Sequence, residues 1–250
     1  MLLKYFNTNN FDLNSSINNG LNKINNLSKF QKIMTYFWIL GPFFFLIERD
    51  PADLWLTLIS IIFIIRSFYK KDWNWAGQQW FIFAVMLWIF GIISAFLGPY
   101  AKYTVFESII WIRFPLYAVA AQAWLGKDKD IRIVMFISIL LGMLLMCVIL
   151  LSELLIEPKI RLTWPYGDLV PGSYLSKISL PVYCTLIAIF LTQTKIKKIV
   201  PGIISLISLI MLFFTGERTN FMIRLFSGLF VFFYWKWDKK IITLFFIFIF

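Results

Sequence analysis

The residues of this chain best able to do chemistry are arginines set among apolar and turn-forming neighbours. In Thr215-Gly216-Glu217-Arg218-Thr219-Asn220-Phe221 the glycine permits a tight turn, Thr215 or Thr219 can cap a helix, and Arg218 falls beside a helix N-terminus. A guanidinium next to free backbone N–H groups is an anion site, because both donate to phosphate oxygens. The same turn also admits a plainer role for Arg218, an interfacial anchor paired with Glu217. Arg224 follows six residues later, about 120° further round the helix, so the two arginines share no face, although a ligand wrapped round the helix end meets both. Arg113 lies in Trp111-Ile112-Arg113-Phe114-Pro115-Leu116-Tyr117, ~12 Å into an apolar stretch, where an ionisable side chain is costly. It marks a polar cavity, a structural pair with Glu107 or Glu153, or a side chain snorkelling to the outer interface, and Pro115 withholds a backbone N–H that can bend the helix beside it. Arg49, Arg161 and Lys177 extend the basic set. Together they point to an anionic, phosphorylated, lipid-linked ligand, with Glu217 and Asp168 as the local candidates for a catalytic base.

These residues must be positioned by membrane helices. Of all residues, 60% are apolar and 20% aromatic, and the mean hydropathy is +0.77, well beyond a soluble domain. Apolar stretches near 33–47, 52–65, 79–98, 105–124, 133–156, 176–193, 199–215 and 219–235 predict an all-α, polytopic transmembrane helix bundle of eight complete spans. Residues 241–250, IITLFFIFIF, predict a truncated ninth, so the chain reads as the N-terminal portion of a longer protein. Placing the N-terminus in the cytoplasm gathers sixteen of the 24 basic residues and five acids on that side, which therefore carries the whole net charge of +11. Positive loops inside are the rule for membrane proteins, so the basic balance reports orientation rather than a nucleic-acid partner. Residues 1–32 are Asn-rich and lack the apolar core of a signal peptide; they read as a disordered cytoplasmic tail ahead of a transmembrane domain at 33–250.

The connections differ by side. The cytoplasmic ones are short and basic, whereas the opposite ones carry Pro, Gly and mixed charge. Glu48-Arg49-Asp50-Pro51 predicts a tight hairpin with Pro51 in the first turn of the second span, and 157–174 predicts a structured loop. No histidine occurs, which excludes His-based acid/base chemistry and His metal sites from these residues. Cys147 and Cys184 have no metal-ligand or redox spacing and read as buried free thiols, so no metal is expected.

The Thr-Gly-Glu-Arg-Thr-Asn-Phe turn of residues 215–221 resembles the [ST]-G-x-R-[TG] signature of the O-antigen ligase and O-antigen polymerase superfamily. The first hairpin, the arginine-bearing stretch Trp111 to Tyr117, and the loop from Arg161 to Gly167 with Pro171-Gly172 are similar to that family as well. The resemblance implies a bacterial inner-membrane glycosyltransferase that moves a glycan from an undecaprenyl diphosphate donor to a lipid A-core or glycan acceptor, without a cofactor. It implies that Arg218 binds the diphosphate, with Arg161 as a further contact, and that ligases use a histidine in a later periplasmic loop; Arg113 and Arg224 join the diphosphate-binding candidates by their place in the outer half of the membrane. A reading from another class is a flippase or transporter, in which the same arginines bind and release an anion without bond formation; no inverted repeat supports it.

Overall fold

The computed structural model describes residues 13–47, 49–98, 100–157, 161–165, 170–192 and 195–236. Among them the structure is all-helical and contains no strand. The chain divides into two compact units, Asn14–Met135 and a second that takes in Phe136 onward.

In the first unit, α1 (Leu13–Asn25) is followed by α2 (Lys29–Ile39), α3 (Gly41–Ile47), α4 (Arg49–Lys70), α5 (Gln79–Leu97), α6 (Ala101–Ile110), α7 (Arg113–Ala120) and the start of α8 (Lys129–Ile156). Helix α1 stands where residues 13–25 of the expected tail fall; residues 1–12 of that tail lie outside the described residues. The asparagines of α1 hide a helical stripe of Leu13, Ile17, Leu21 and Ile24, and burial of Ile24 in the core offsets the ordering cost. Lys23 on α1 then binds both Asp128 and Asp130 at the start of α8, at 2.9 and 2.7 Å.

The core of this unit is aromatic: Trp38, Trp55, Phe63, Trp75 and Trp124 are all buried. Three of these four indoles find an acceptor, and Trp124 instead stacks on Phe63 beneath the Arg66 guanidinium. Trp38 donates to the Tyr117 hydroxyl at 3.1 Å, Trp55 to the Phe37 carbonyl at 2.8 Å, and Trp75 to the Ser67 hydroxyl at 3.1 Å. Helices α2 and α3 meet at a 46° bend, where Pro42 cannot donate a backbone hydrogen bond. Between α6 and α7 the chain breaks at Trp111 and Ile112 for the same reason. Pro115 leaves the Trp111 carbonyl without its helical donor, and the N–H of Phe114 takes it over at 3.1 Å.

In the second unit, α8 continues and is followed by α9 (Val170–Ser173), α10 (Leu180–Thr192), α11 (Lys195–Phe214) and α12 (Arg218–Lys236). Cys147 is buried and Cys184 half-buried, and both thiols are free.

Among the described residues, four helices are long and apolar enough to cross a membrane: Asp50–Lys70, Gln79–Leu97, Tyr103–Leu125 and Lys129–Ile156. The bent pair α2–α3 makes a fifth if it is one broken span. The predicted stretches 176–193 and 199–215 appear as shorter apolar helices, Leu180–Leu191 and Ile199–Phe214. The stretch at 241–250 lies outside the described residues.

Candidate functional site

The second unit holds a loop and a turn that are built against each other. Glu153, near the end of α8, is fully buried, yet its carboxylate is satisfied by chain ten residues away: it accepts from the N–H of Thr163 at 2.9 Å, the N–H of Trp164 at 2.8 Å and the Thr163 hydroxyl at 3.2 Å. Three such donors satisfy the acceptor oxygens of the buried carboxylate without a cation. The loop thus starts from a fixed point. Two residues earlier in the chain, Arg161 donates from Nε to the carbonyl of Thr215 at 3.2 Å and from Nη2 to that of Gly216 at 3.0 Å, while the N–H of Leu162 donates to the Phe214 carbonyl at 3.0 Å. These are the C-terminal carbonyls of α11, which have no helical donor of their own, and a cation belongs there.

The turn that follows needs its glycine. Gly216 has φ +73°, and a Cβ there would lie 2.5 Å from Arg161 Nε. Gly172 closes the assembly from the other side: a Cβ on it would come within 2.7 Å of Thr215 Oγ1 and 2.9 Å of the Glu217 carboxyl carbon. The Asn220 side chain donates to the Ser173 hydroxyl at 3.2 Å. Neither threonine plays the capping part expected of it. Thr215 donates back to the Leu212 carbonyl at 2.7 Å, inside α11, and the first N–H of α12 to be satisfied is that of Phe221, by the Glu217 carbonyl at 2.9 Å.

Arg218 is the first residue of α12, exposed, and among the described residues it has neither a hydrogen bond nor an ion pair. A free guanidinium thus stands beside the N–H groups that open a nineteen-residue helix. Glu217 is half-buried against Gly172, and Asp168 lies outside the described residues.

The other predicted arginines are placed differently. Arg224 is fully buried. Its Nη1 donates to the Leu175 carbonyl and to Ser179 Oγ, its Nη2 to Ser208 Oγ at 3.1 Å and towards Met143 Sδ at 3.3 Å, and its guanidinium carbon lies 4.2 Å from the centre of the Tyr183 ring. All of these partners are neutral, and Nε has none among the described residues. Arg113 belongs to the first unit and forms an ion pair with Asp53 of α4 at 3.0 Å, with Thr57 Oγ1 at 3.4 Å from its other terminal nitrogen. This corrects the expected pairing with Glu107 or Glu153. Asp53 is the fifth residue of α4, and the break before α7 brings the arginine opposite it, while Glu153 is occupied by its own loop. The loop's grip on the turn was missed from sequence, since Arg161 and Thr215 are 54 positions apart.

No family model, curated protein or solved structure matches the chain, so the site is described by its geometry.

Proposed function

We propose that this chain serves glycan transfer from an undecaprenyl diphosphate carrier, in the manner of the O-antigen ligases and polymerases that its 215–221 turn resembles. The supporting observation is Arg218: it is exposed and unpartnered among the described residues, at the start of α12, while Arg161 beside it is committed to holding the turn in shape. A diphosphate oxygen placed there meets a fork of guanidinium donors and the positive end of the helix together.

In the transfer, the acceptor hydroxyl attacks the anomeric carbon of the donor glycan, and the bond from that carbon to the diphosphate oxygen breaks. Arg218 neutralises the negative charge that develops on the departing lipid diphosphate, an electrostatic contribution that grows in a water-poor setting. The hydroxyl proton passes to a base, for which Glu217 and Asp168 are the candidates in this chain. The proposal includes the finer topology: eight spans, a cytoplasmic N-terminus in a bacterial inner membrane, and the 161–173 loop and 215–221 turn on the periplasmic face.

Arg218→Lys tests the proposal. The variant keeps the charge but loses the planar fork, and is expected to insert normally while losing most glycan transfer in membranes supplied with a lipid-linked donor. Undiminished transfer would return Arg218 to the role of an interfacial anchor. The transporter reading draws on the bent α2–α3 pair and the break before α7, because broken helices line many transport sites. Liposomes carrying labelled lipid-linked glycan separate the two: transfer makes a new glycosidic bond, and transport moves the label without one.

A further inference from the structure

Helices α5 and α6–α7 of the first unit diverge around a cleft of about 640 Å³. Its walls are apolar, formed by Ala84, Leu87 and Gly91 on α5 and by Tyr103, Trp111 and Pro115 opposite. One ionisable group lines it, Glu107, which is exposed and has neither a hydrogen bond from its side chain nor an ion pair among the described residues. The surrounding surface is that of a helix pair facing hydrocarbon: Phe83, Leu87, Phe90 and Phe106 are each about two-thirds or more exposed, on helices with membrane-spanning length and hydropathy.

A carboxylate at such a place requires a cation, and among the described residues none is paired with it, Arg113 being taken by Asp53. Glu107 lies six residues into α6, about 9 Å along the axis, and side chains on a helix lean towards its N-terminus. Its carboxylate therefore reaches back towards Tyr103, Thr104 and the membrane surface where α6 begins. The cleft continues in the opposite direction, past Trp111 to Pro115, as an apolar trough. Trp88 helps to keep it open: its indole N–H is turned away to the Ser108 carbonyl at 2.8 Å, bracing α5 against α6.

We infer that this cleft binds one phospholipid with a primary ammonium headgroup, a phosphatidylethanolamine, its ammonium on the Glu107 carboxylate and an acyl chain in the trough beside Ala84 and Leu87. Charge complementarity selects the occupant. An ammonium supplies the missing cation and up to three N–H donors, a quaternary ammonium has no N–H to offer, and an anionic glycerol headgroup repels the carboxylate. The inference needs only that the helices stand in a membrane and does not depend on the glycan-transfer proposal.

Native mass spectrometry of the full chain, released from nanodiscs of equimolar phosphatidylethanolamine and phosphatidylglycerol, tests it. The wild type is expected to retain one phosphatidylethanolamine with about tenfold preference, the scale of a single charge-assisted contact. Glu107→Gln, at an exposed side chain, is expected to fold normally and bring the two lipids to parity. Gly91→Leu provides a second, independent variant: a Cβ at Gly91 meets nothing within 4 Å, so a larger side chain fills the cleft at the level of Glu107 without disturbing its walls and should abolish retention of both lipids. Equal retention of the two lipids by the wild type, or an undiminished preference in Glu107→Gln, would overturn the inference. So would lipid-free dimers that Gly91→Leu prevents, because a second copy would then be the occupant.

Discussion

Arg161 and Gly216 make a single joint: the arginine's Nη2 donates to the glycine's carbonyl across 3.0 Å, while its Nε occupies the space a side chain on residue 216 would fill. The turn carrying Arg218 is therefore shaped by a residue from the loop after α8, and the loop is held in turn by Glu153.

Gly216→Ala is expected to lower stability by about 2–4 kcal/mol, combining a left-handed backbone angle with a contact that Arg161 must vacate. Arg161→Ala should cost about 1.5–3 kcal/mol by leaving two helix-end carbonyls without a charged donor. The two losses should add to less than their sum in thermal unfolding of the detergent-solubilised protein, because each substitution undoes the same joint.

Arg224 provides a sharper test of burial. Arg224→Lys keeps the charge but cannot reach Leu175, Ser179 and Ser208 at once, so it is expected to lower stability by roughly 3–5 kcal/mol. Ser208→Ala, which removes one of several acceptors, should cost about 1 kcal/mol on the same unfolding measurement.

The Arg113–Asp53 pair is partly exposed, and a double-mutant cycle with Arg113→Gln and Asp53→Asn is expected to return a coupling of about 0.5–1 kcal/mol. Coupling between Arg113 and Glu107, measured in the same way, should be indistinguishable from zero.

The cluster at the foot of α1 predicts a pH dependence. Burial pushes the Asp128 carboxyl up, but the Lys23 ammonium and the N–H of Asp130 outweigh it and hold the carboxyl below its ordinary value, while hydrogen bonds to Asp130 and Asp128 raise Lys23. For Asp128 the stabilisation is present above the unfolded value of about 3.9 and is lost as pH falls through the lower folded value. For Lys23 it is present below about 10.4 and is lost as pH rises through the higher folded value. Amide exchange of residues 14–25 should accordingly speed up at both extremes, and Asp128→Asn should weaken the acid arm.

The orientation proposed from the charge distribution can be checked by labelling. Cysteines introduced at positions 50, 100 and 217 are expected to react with an impermeant reagent from the periplasm, and those at 70, 128 and 197 only after the inner leaflet is breached.

Helix positions were legible because hydropathy is a local property: the stretches at 52–65, 79–98, 105–124 and 133–156 each contain the body of an observed helix, and Pro115 announced the break beside it. Helix α1 was not legible, since its four apolar residues are diluted by asparagine and acquire meaning only when Ile24 meets the core. Side-chain partners were the least legible of all. Glu153 looked like a counter-ion for an arginine because both are charged and apolar in context, but three donors supplied by its own loop satisfy it. Arg161 drew notice as a ligand contact, whereas its partners are backbone carbonyls, which look alike in any sequence.

The burial of Arg224 among neutral groups has a bearing on permeation. A guanidinium does not give up its proton under physiological conditions, so it stands as a fixed positive charge in the packing of α8, α10, α11 and α12. Hydronium, sodium and potassium ions entering that packing would meet a repulsive barrier that none of the arginine's contacts among the described residues cancels, as they do at arginines that line water-selective pores.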